Sequence, residues 1–133
     1  MPLNPPLPPW PQCRVWIIGA STGIGAATAR LLLAEGARVV LSARNATQLA
    51  DVAAGNARAL VEPLDFTDSG QVVTAWQRIR AMWGRVDLVL IVAGTHQEMR
   101  AWELNEKESR ALLEINLHAP LNATAVEIGR AHV

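Results

Sequence analysis

The 133-residue chain has no tyrosine, a single phenylalanine and a single cysteine, and its only lysine is Lys107. Each shortage excludes something. One thiol, Cys13, cannot close an internal disulfide, so a reducing compartment, the cytoplasm, is the expected setting. Cys13 stands where an apolar run begins, which fits a buried structural thiol rather than a reactive one. Neither charge sign is in excess, with 12 basic and 12 acidic residues. Nothing in that balance argues for a nucleic acid or an anionic membrane as partner. No apolar run approaches the roughly 20 residues that cross a bilayer. No spacing of His, Cys and carboxylates suggests a metal site, and no Ser/His/Asp arrangement can be argued. His96 is a lone loop histidine, which suits a solvated side chain better than a catalytic one.

Proline is scarce except at the start. Residues Met1 to Gln12 hold six of the eight prolines. The run Pro5-Pro6-Leu7-Pro8-Pro9-Trp10-Pro11 cannot be helix and lacks the donors of a central strand. A flexible, polyproline-like tail over residues 1–12 is expected. It has neither the basic start nor the long apolar centre of a signal peptide.

The remaining chain alternates strand and helix patterns. Strands are expected at Arg14–Ile18, Arg38–Ser42, about Arg58–Glu62 and Val86–Val92, the last being the most apolar. The helix after the first strand places Ile24, Ala27, Leu31 and Ala34 on one face, and Gly36 suits its stop. Asn45 is positioned to cap a short helix reaching about Ala54. Asp68 or Ser69 caps a third, with Val72, Trp76, Ile79 and Trp83 inward and Gly84 at its end. After a loop carrying His96 and Trp102, a last helix starts near Glu106, with Leu112, Ile115 and Ala119 inward and a kink at Pro120. The order βαβαβαβα implies a parallel sheet with helices on both faces and right-handed crossovers. It is one domain, from residue 13 to about 126.

The chemistry concentrates in Ile18-Gly19-Ala20-Ser21-Thr22-Gly23-Ile24-Gly25, a glycine turn between the first strand and the first helix. Glycines permit a tight turn and close approach of a ligand to backbone. The helix beyond it points free N–H groups and a partial positive charge into the turn, as a phosphate requires. A plain strand-to-helix turn would also account for three glycines taken alone.

Gly19-x-x-x-Gly23-Ile24-Gly25 resembles the cofactor turn of short-chain dehydrogenases/reductases, T-G-x-x-x-G-I-G, with Ile18 in place of the threonine. Further positions are similar in the same order. Asp65-Phe66 follows strand three, where the family has an Asp that touches adenine. Ala93 and Gly94 match the end of the family's N-N-A-G after strand four, while Ile91 and Val92 replace both asparagines. Asn116, with Pro120 four residues later, reproduces the helix pattern that carries the family's catalytic Asn. The resemblance covers about Val15 to Ala125. It implies a Rossmann-type doubly wound parallel sheet, here incomplete at about four strands. It also implies hydride transfer between NAD(P) and an alcohol/carbonyl pair, and a homo-oligomeric parent. The cofactor set it implies is Gly19, Ser21, Thr22, Gly23, Ile24, Gly25, Arg44, Asp65, Phe66, Ala93 and Gly94, with no metal. NAD-selective sites carry an acid about 20 residues beyond the glycine turn. Here Leu41-Ser42-Ala43-Arg44 has none, and the Arg44 guanidinium suits a 2′-phosphate, so NADP(H) is expected over NAD(H).

The family also needs a Tyr-x-x-x-Lys pair, in which the phenol exchanges a proton with the substrate oxygen and the lysine lowers the phenol's pKa. A Ser upstream and an Asn complete the family's tetrad; of it only Asn116 is present, and Lys107 lies before the segment in question. The chain is therefore expected to be an inactive N-terminal fragment of such an enzyme. The other reading is a naturally short, non-catalytic nucleotide-binding or regulatory module. After Val126 the sequence changes character, and Gly129 is expected to break the helix. The codons ATC GGA AGA GCA CAC GTC, the start of a common sequencing-library adapter, encode Ile128-Gly129-Arg130-Ala131-His132-Val133, and the next triplet is a stop. Residues 127–133 are accordingly expected to be a non-native extension.

Overall fold

The computed structural model describes residues 6–94, 103 and 105–131, with side chains to 125. His96, Trp102, the first five residues and the side chains of the expected C-terminal extension lie outside that description. The elements are β1 (Arg14–Ile18), α1 (Gly23–Ala34), β2 (Arg38–Ser42), α2 (Ala46–Ala53), β3 (Ala59–Val61), α3 (Ser69–Trp83), β4 (Leu88–Ile91), α4 (Glu106–Leu113) and α5 (Ala119–Ala131). All four strands are parallel, in the order β3-β2-β1-β4. The α/β expectation from the alternating pattern holds.

The sheet is covered on both faces, which is why its strands read as unbroken apolar runs. On one side Val15, Ile17, Val39 and Leu41 pack with Ala29, Leu32 and Leu33 of α1 and Leu49 and Val52 of α2. On the other, Trp16, Ile18 and Val40 meet Val72, Trp76 and Ile79 of α3 and Ala119 and Ala123 of α5. Trp16 is fully buried, stacked on Trp76 with ring centroids 6.0 Å apart, and its indole N–H donates to the buried Ser42 hydroxyl at 2.8 Å. That bond satisfies the one polar atom the large ring brings into the core. Cys13 is buried too, and burial raises its thiol pKa, so it stays protonated.

Local chemistry sets the ends. Asn45 and Asp68 each accept from the backbone N–H three residues on, at 3.1 and 3.2 Å, and start α2 and α3. Gly84, at φ 76°, ends α3. Four expectations need correction. The chain is already turned into a 3₁₀ helix at Trp10–Gln12, within the segment read as a tail. Arg58 and Arg85 donate to the carbonyls of Pro11 and Gln12 there, at 3.4 and 3.2 Å. The backbone of α5 runs through Ala131, so Gly129 does not break it; one interior glycine costs only about 1 kcal/mol. The disruption expected at Pro120 takes the form of a π turn over Glu114–His118, where Ala119 N–H reaches back to the Glu114 carbonyl. Pro120 has no N–H to give and its ring crowds the carbonyl one turn back; a widened turn absorbs both.

The largest correction concerns α1. Its buried residues are Gly25, Ala26, Ala29, Leu32 and Leu33, whereas Ile24 and Leu31 are 78% and 61% exposed. The helix is turned about one residue from the face its large apolar side chains suggest. Gly25 explains the turn. A Cβ there would stand 1.9 Å from the Gly19 carbonyl oxygen and 2.9 Å from Val92 Cγ2. The bare backbone of Gly25 seats α1 against the end of β1, and residues four, seven and eight further on face inward with it.

Gly25→Ala should therefore destabilise the fold by about 3 kcal/mol or more, because the clash is with backbone. Gly23→Ala, where nothing lies within 4 Å, meets only the strain of its φ of 57° and should cost about 1 kcal/mol. Thermal unfolding of the two variants should separate them by several degrees; equal midpoints would contradict this seating of α1.

Candidate functional site

The carboxyl ends of β1, β2 and β4 open onto a cleft of about 710 Å³. Its floor is the glycine turn. Gly19 and Ala20 donate their N–H groups to the Ser42 carbonyl at 2.8 and 3.1 Å, which ties the turn to the end of β2. Gly19 adopts φ 96°, and a Cβ there would lie 2.5 Å from Ala93 N. The turn and the start of the loop after β4 thus touch backbone to backbone, and neither has room for a side chain between them.

Above the floor, α1 begins without a side-chain cap. Thr22 precedes it in an extended conformation and accepts nothing from the helix with its hydroxyl. The helices α2, α3 and α4 start under Asn45, Asp68 and Asn105 side chains that accept from their first turns. The first amides of α1 have no side-chain acceptor among the described residues, and they open onto the cleft.

All the sequence-predicted cofactor residues lie along this one cleft. Gly19, Ser21, Thr22, Gly23, Ile24 and Gly25 form the turn and helix start, Arg44 follows β2, Asp65 and Phe66 follow β3, and Ala93 and Gly94 follow β4. Asn116, the one catalytic position read from sequence, is not on the cleft wall. It sits in the π turn, with its Oδ1 3.3 Å from where a Cβ on Gly94 would stand. A side chain on Gly94 would press on Asn116 and shift it by a few tenths of an ångström.

Arg44 is exposed, and Asp65 is half-buried. The Asp65 carboxylate accepts from Thr67 Oγ1 at 2.7 Å and Thr67 N at 2.9 Å. Those two bonds, the hydroxyl first, hold its pKa below the ordinary carboxylate value, and the Arg44 charge lowers it a little further. A depressed carboxyl pKa contributes stability that is present above the unfolded value of about 3.9 and is lost as pH falls through the folded one. At neutral pH Asp65 is a fixed anion with acceptor capacity facing the cleft.

Several lining residues escaped the sequence reading. Asn45 and Gln48 flank Arg44, Thr67 orients Asp65, and Glu114 and Ile115 come from the π turn. Asn45 was legible only as a helix cap. Glu114 and Ile115 enter through a widened turn that no periodicity announces. Val92 stands where the family's N-N-A-G has an asparagine, and its methyl closes over Gly25.

The short chain dehydrogenase family profile matches residues 14–128. The chain is 33% identical over 118 residues to human dehydrogenase/reductase SDR family member 7, covering 83% of this chain and 35% of that protein. It is 32% identical over 104 residues to the 3-oxoacyl-[acyl-carrier-protein] reductase FabG of Escherichia coli, covering 76% of this chain and 42% of the other. A crystal structure of a short-chain dehydrogenase from Streptomyces avermitilis superposes with a TM-score of 0.81 at 34% identity, over 90% of this chain and 45% of that one. The chain thus spans less than half the length of these relatives. Its profile match, its glycine turn and its parallel sheet agree, and the chain belongs to the short-chain dehydrogenase family.

Proposed function

We propose that this chain is the dinucleotide-binding portion of an NADP(H)-dependent oxidoreductase that interconverts an alcohol and a carbonyl compound. The uncapped α1 N-terminus carries the reading, because it opens into the same cleft as Arg44 and Asp65. A cofactor pyrophosphate fits the free amides beside Gly23 and Ile24. Asp65, held ionised by Thr67, suits an adenine amino group. Arg44, with no acidic neighbour on β2, suits a 2′-phosphate, and the amide side chains of Asn45 and Gln48 add polar contacts beside it. Ala93 and Gly94 leave the backbone bare where the cofactor would turn from adenine toward nicotinamide. When bound, the nicotinamide supplies or accepts hydride. The residues here bind and orient it, and Asn116 behind Gly94 is the family's catalytic position nearest to hand.

The chain contains no tyrosine, so a phenolic acid–base of the family's kind has to come from outside these 133 residues. A longer parent with that group is the proposed enzyme. Its assembly as a homo-oligomer is supported by Leu113, Leu117 and Leu121, spaced four apart along the last helical stretch and 50%, 48% and 60% exposed. Among the described residues no helix is long and apolar enough to cross a membrane, and a cytoplasmic setting is proposed on the lone buried thiol.

NADPH should bind more tightly than NADH by about tenfold, the worth of one charge-assisted hydrogen-bonded pair. Arg44→Asp should erase that preference and leave NADH affinity nearly unchanged. Tryptophan fluorescence titration with both dinucleotides measures this; equal affinities in the unmutated chain would exclude the Arg44 assignment. The purified chain should also show no NADPH-dependent carbonyl reduction, and turnover above a no-protein blank would show that it contains a proton donor this reading lacks.

A further inference from the structure

The end of the sheet opposite the cofactor cleft carries an arrangement of charge that dinucleotide binding does not use. Arg14, first in β1, is in register with Arg38, first in β2. Arg58 stands next in the same row: Val39 N–H donates to its carbonyl at 3.0 Å, and Val39 is in register with Ala59. Residues in one row of a parallel sheet share a face. Two positions further along the strands, Trp16, Val40 and Leu60 all pack on the α3 side. Three arginines therefore leave three adjacent strands, roughly 4.8 Å apart, toward the same side. Like charges so placed are unfavourable unless something answers them.

Little in the chain does. The acid of the row is Asp87, and its carboxylate is taken by the Arg14 backbone N–H at 2.8 Å and by Arg85 Nε at 3.0 Å. Among the described residues, the Arg14 and Arg38 guanidiniums have no hydrogen bond or ion pair, and Arg58 has one long contact, 3.4 Å to the Pro11 carbonyl. Arg38 and Arg58 face a second cleft of about 410 Å³, lined also by Ala59, Leu60, Met82 and Trp83. Met82 is 59% exposed and Trp83 is half-buried, so the cleft pairs cations with an apolar, aromatic wall. The carbonyl end of α3 opposes an anion with about half a charge, against two full guanidinium charges.

We propose that this cleft is a second ligand site, for a phosphomonoester carried on a flat apolar ring. The phosphate lies between the Arg38 and Arg58 guanidiniums, whose planar forks match its oxygens. The ring lies on Trp83 and Met82. The site is on the β3 side of the sheet, away from the β4 edge and at the opposite strand ends from the dinucleotide cleft, so the two ligands bind independently.

Phenyl phosphate and AMP are the probes, each titrated calorimetrically into the chain with excess NADP⁺ present to fill the upper cleft. One-to-one binding in the millimolar range or tighter is expected. Inorganic phosphate and phenol should each bind at least about tenfold more weakly. Arg38→Ala and Arg58→Ala should each weaken phenyl phosphate about tenfold, and Arg38→Lys should restore part of the loss. Arg38 is exposed and unbonded, so its variants should keep the parent's thermal midpoint. Phenyl phosphate bound more tightly than AMP assigns the site to aryl phosphates, and the reverse to nucleotides. Absence of heat at about 10 mM, undiminished binding in both alanine variants, or inorganic phosphate binding as well as phenyl phosphate would overturn the proposal.

Discussion

The close contact between Gly25 and the Gly19 carbonyl is the constraint on which the rest depends. With no side chain on either residue, helix α1 sits directly on the end of β1. That seating fixes three things at once. It sets the rotation of α1, and so which of its residues enter the core. It places the first amides of α1 over the glycine turn. It also brings Val92 and Ala93, at the end of β4, against the same turn. The cleft is thus a consequence of backbone packing, and two charged side chains, Arg44 and Asp65, are added at its rim after β2 and β3.

Electrostatics follow from this backbone. Three helices satisfy their first amides with Asn or Asp side chains, while α1 does not. Leaving those donors open costs the isolated chain something that a bound anion returns. Thr67 keeps Asp65 ionised and aimed, and the buried Trp16–Ser42 pair locks the ends of β1 and β2 whose carbonyl and amides form the turn. Trp16 also stacks on Trp76 of α3, so the same indole ties β1 to the helix on that side.

The alternation of strands and helices along the chain and the cleft's main residues were legible because each leaves a local mark. Unbroken apolar runs gave β1 and β2 to the residue, and Asn45 and Asp68 gave the caps. The face of α1 was not legible. Ile24 and Leu31 draw attention by their size, yet the deciding residue is a glycine whose effect appears only when β1 is in place. Strand β4 is shorter than its apolar run: Leu88–Ile91 is paired, with every residue half-buried. It bonds only to β1 among the described residues, so the strongest strand pattern in the sequence forms an edge. The π turn was hidden for another reason. Pro120 signals a break, but not whether the helix kinks or widens, and widening is what carries Glu114 and Ile115 to the cleft.

The central claim is that the open first turn of α1 receives the cofactor's phosphates. Amide hydrogen exchange, with and without NADPH, tests it at the residues concerned. Slowed exchange is expected at Gly23, Ile24 and Gly25, with smaller effects near Arg44 and at Asp65–Thr67, and none at the caps of α2 and α3, whose amides are already bonded. Protection confined elsewhere, with the α1 amides exchanging as fast as in the free chain, would contradict it.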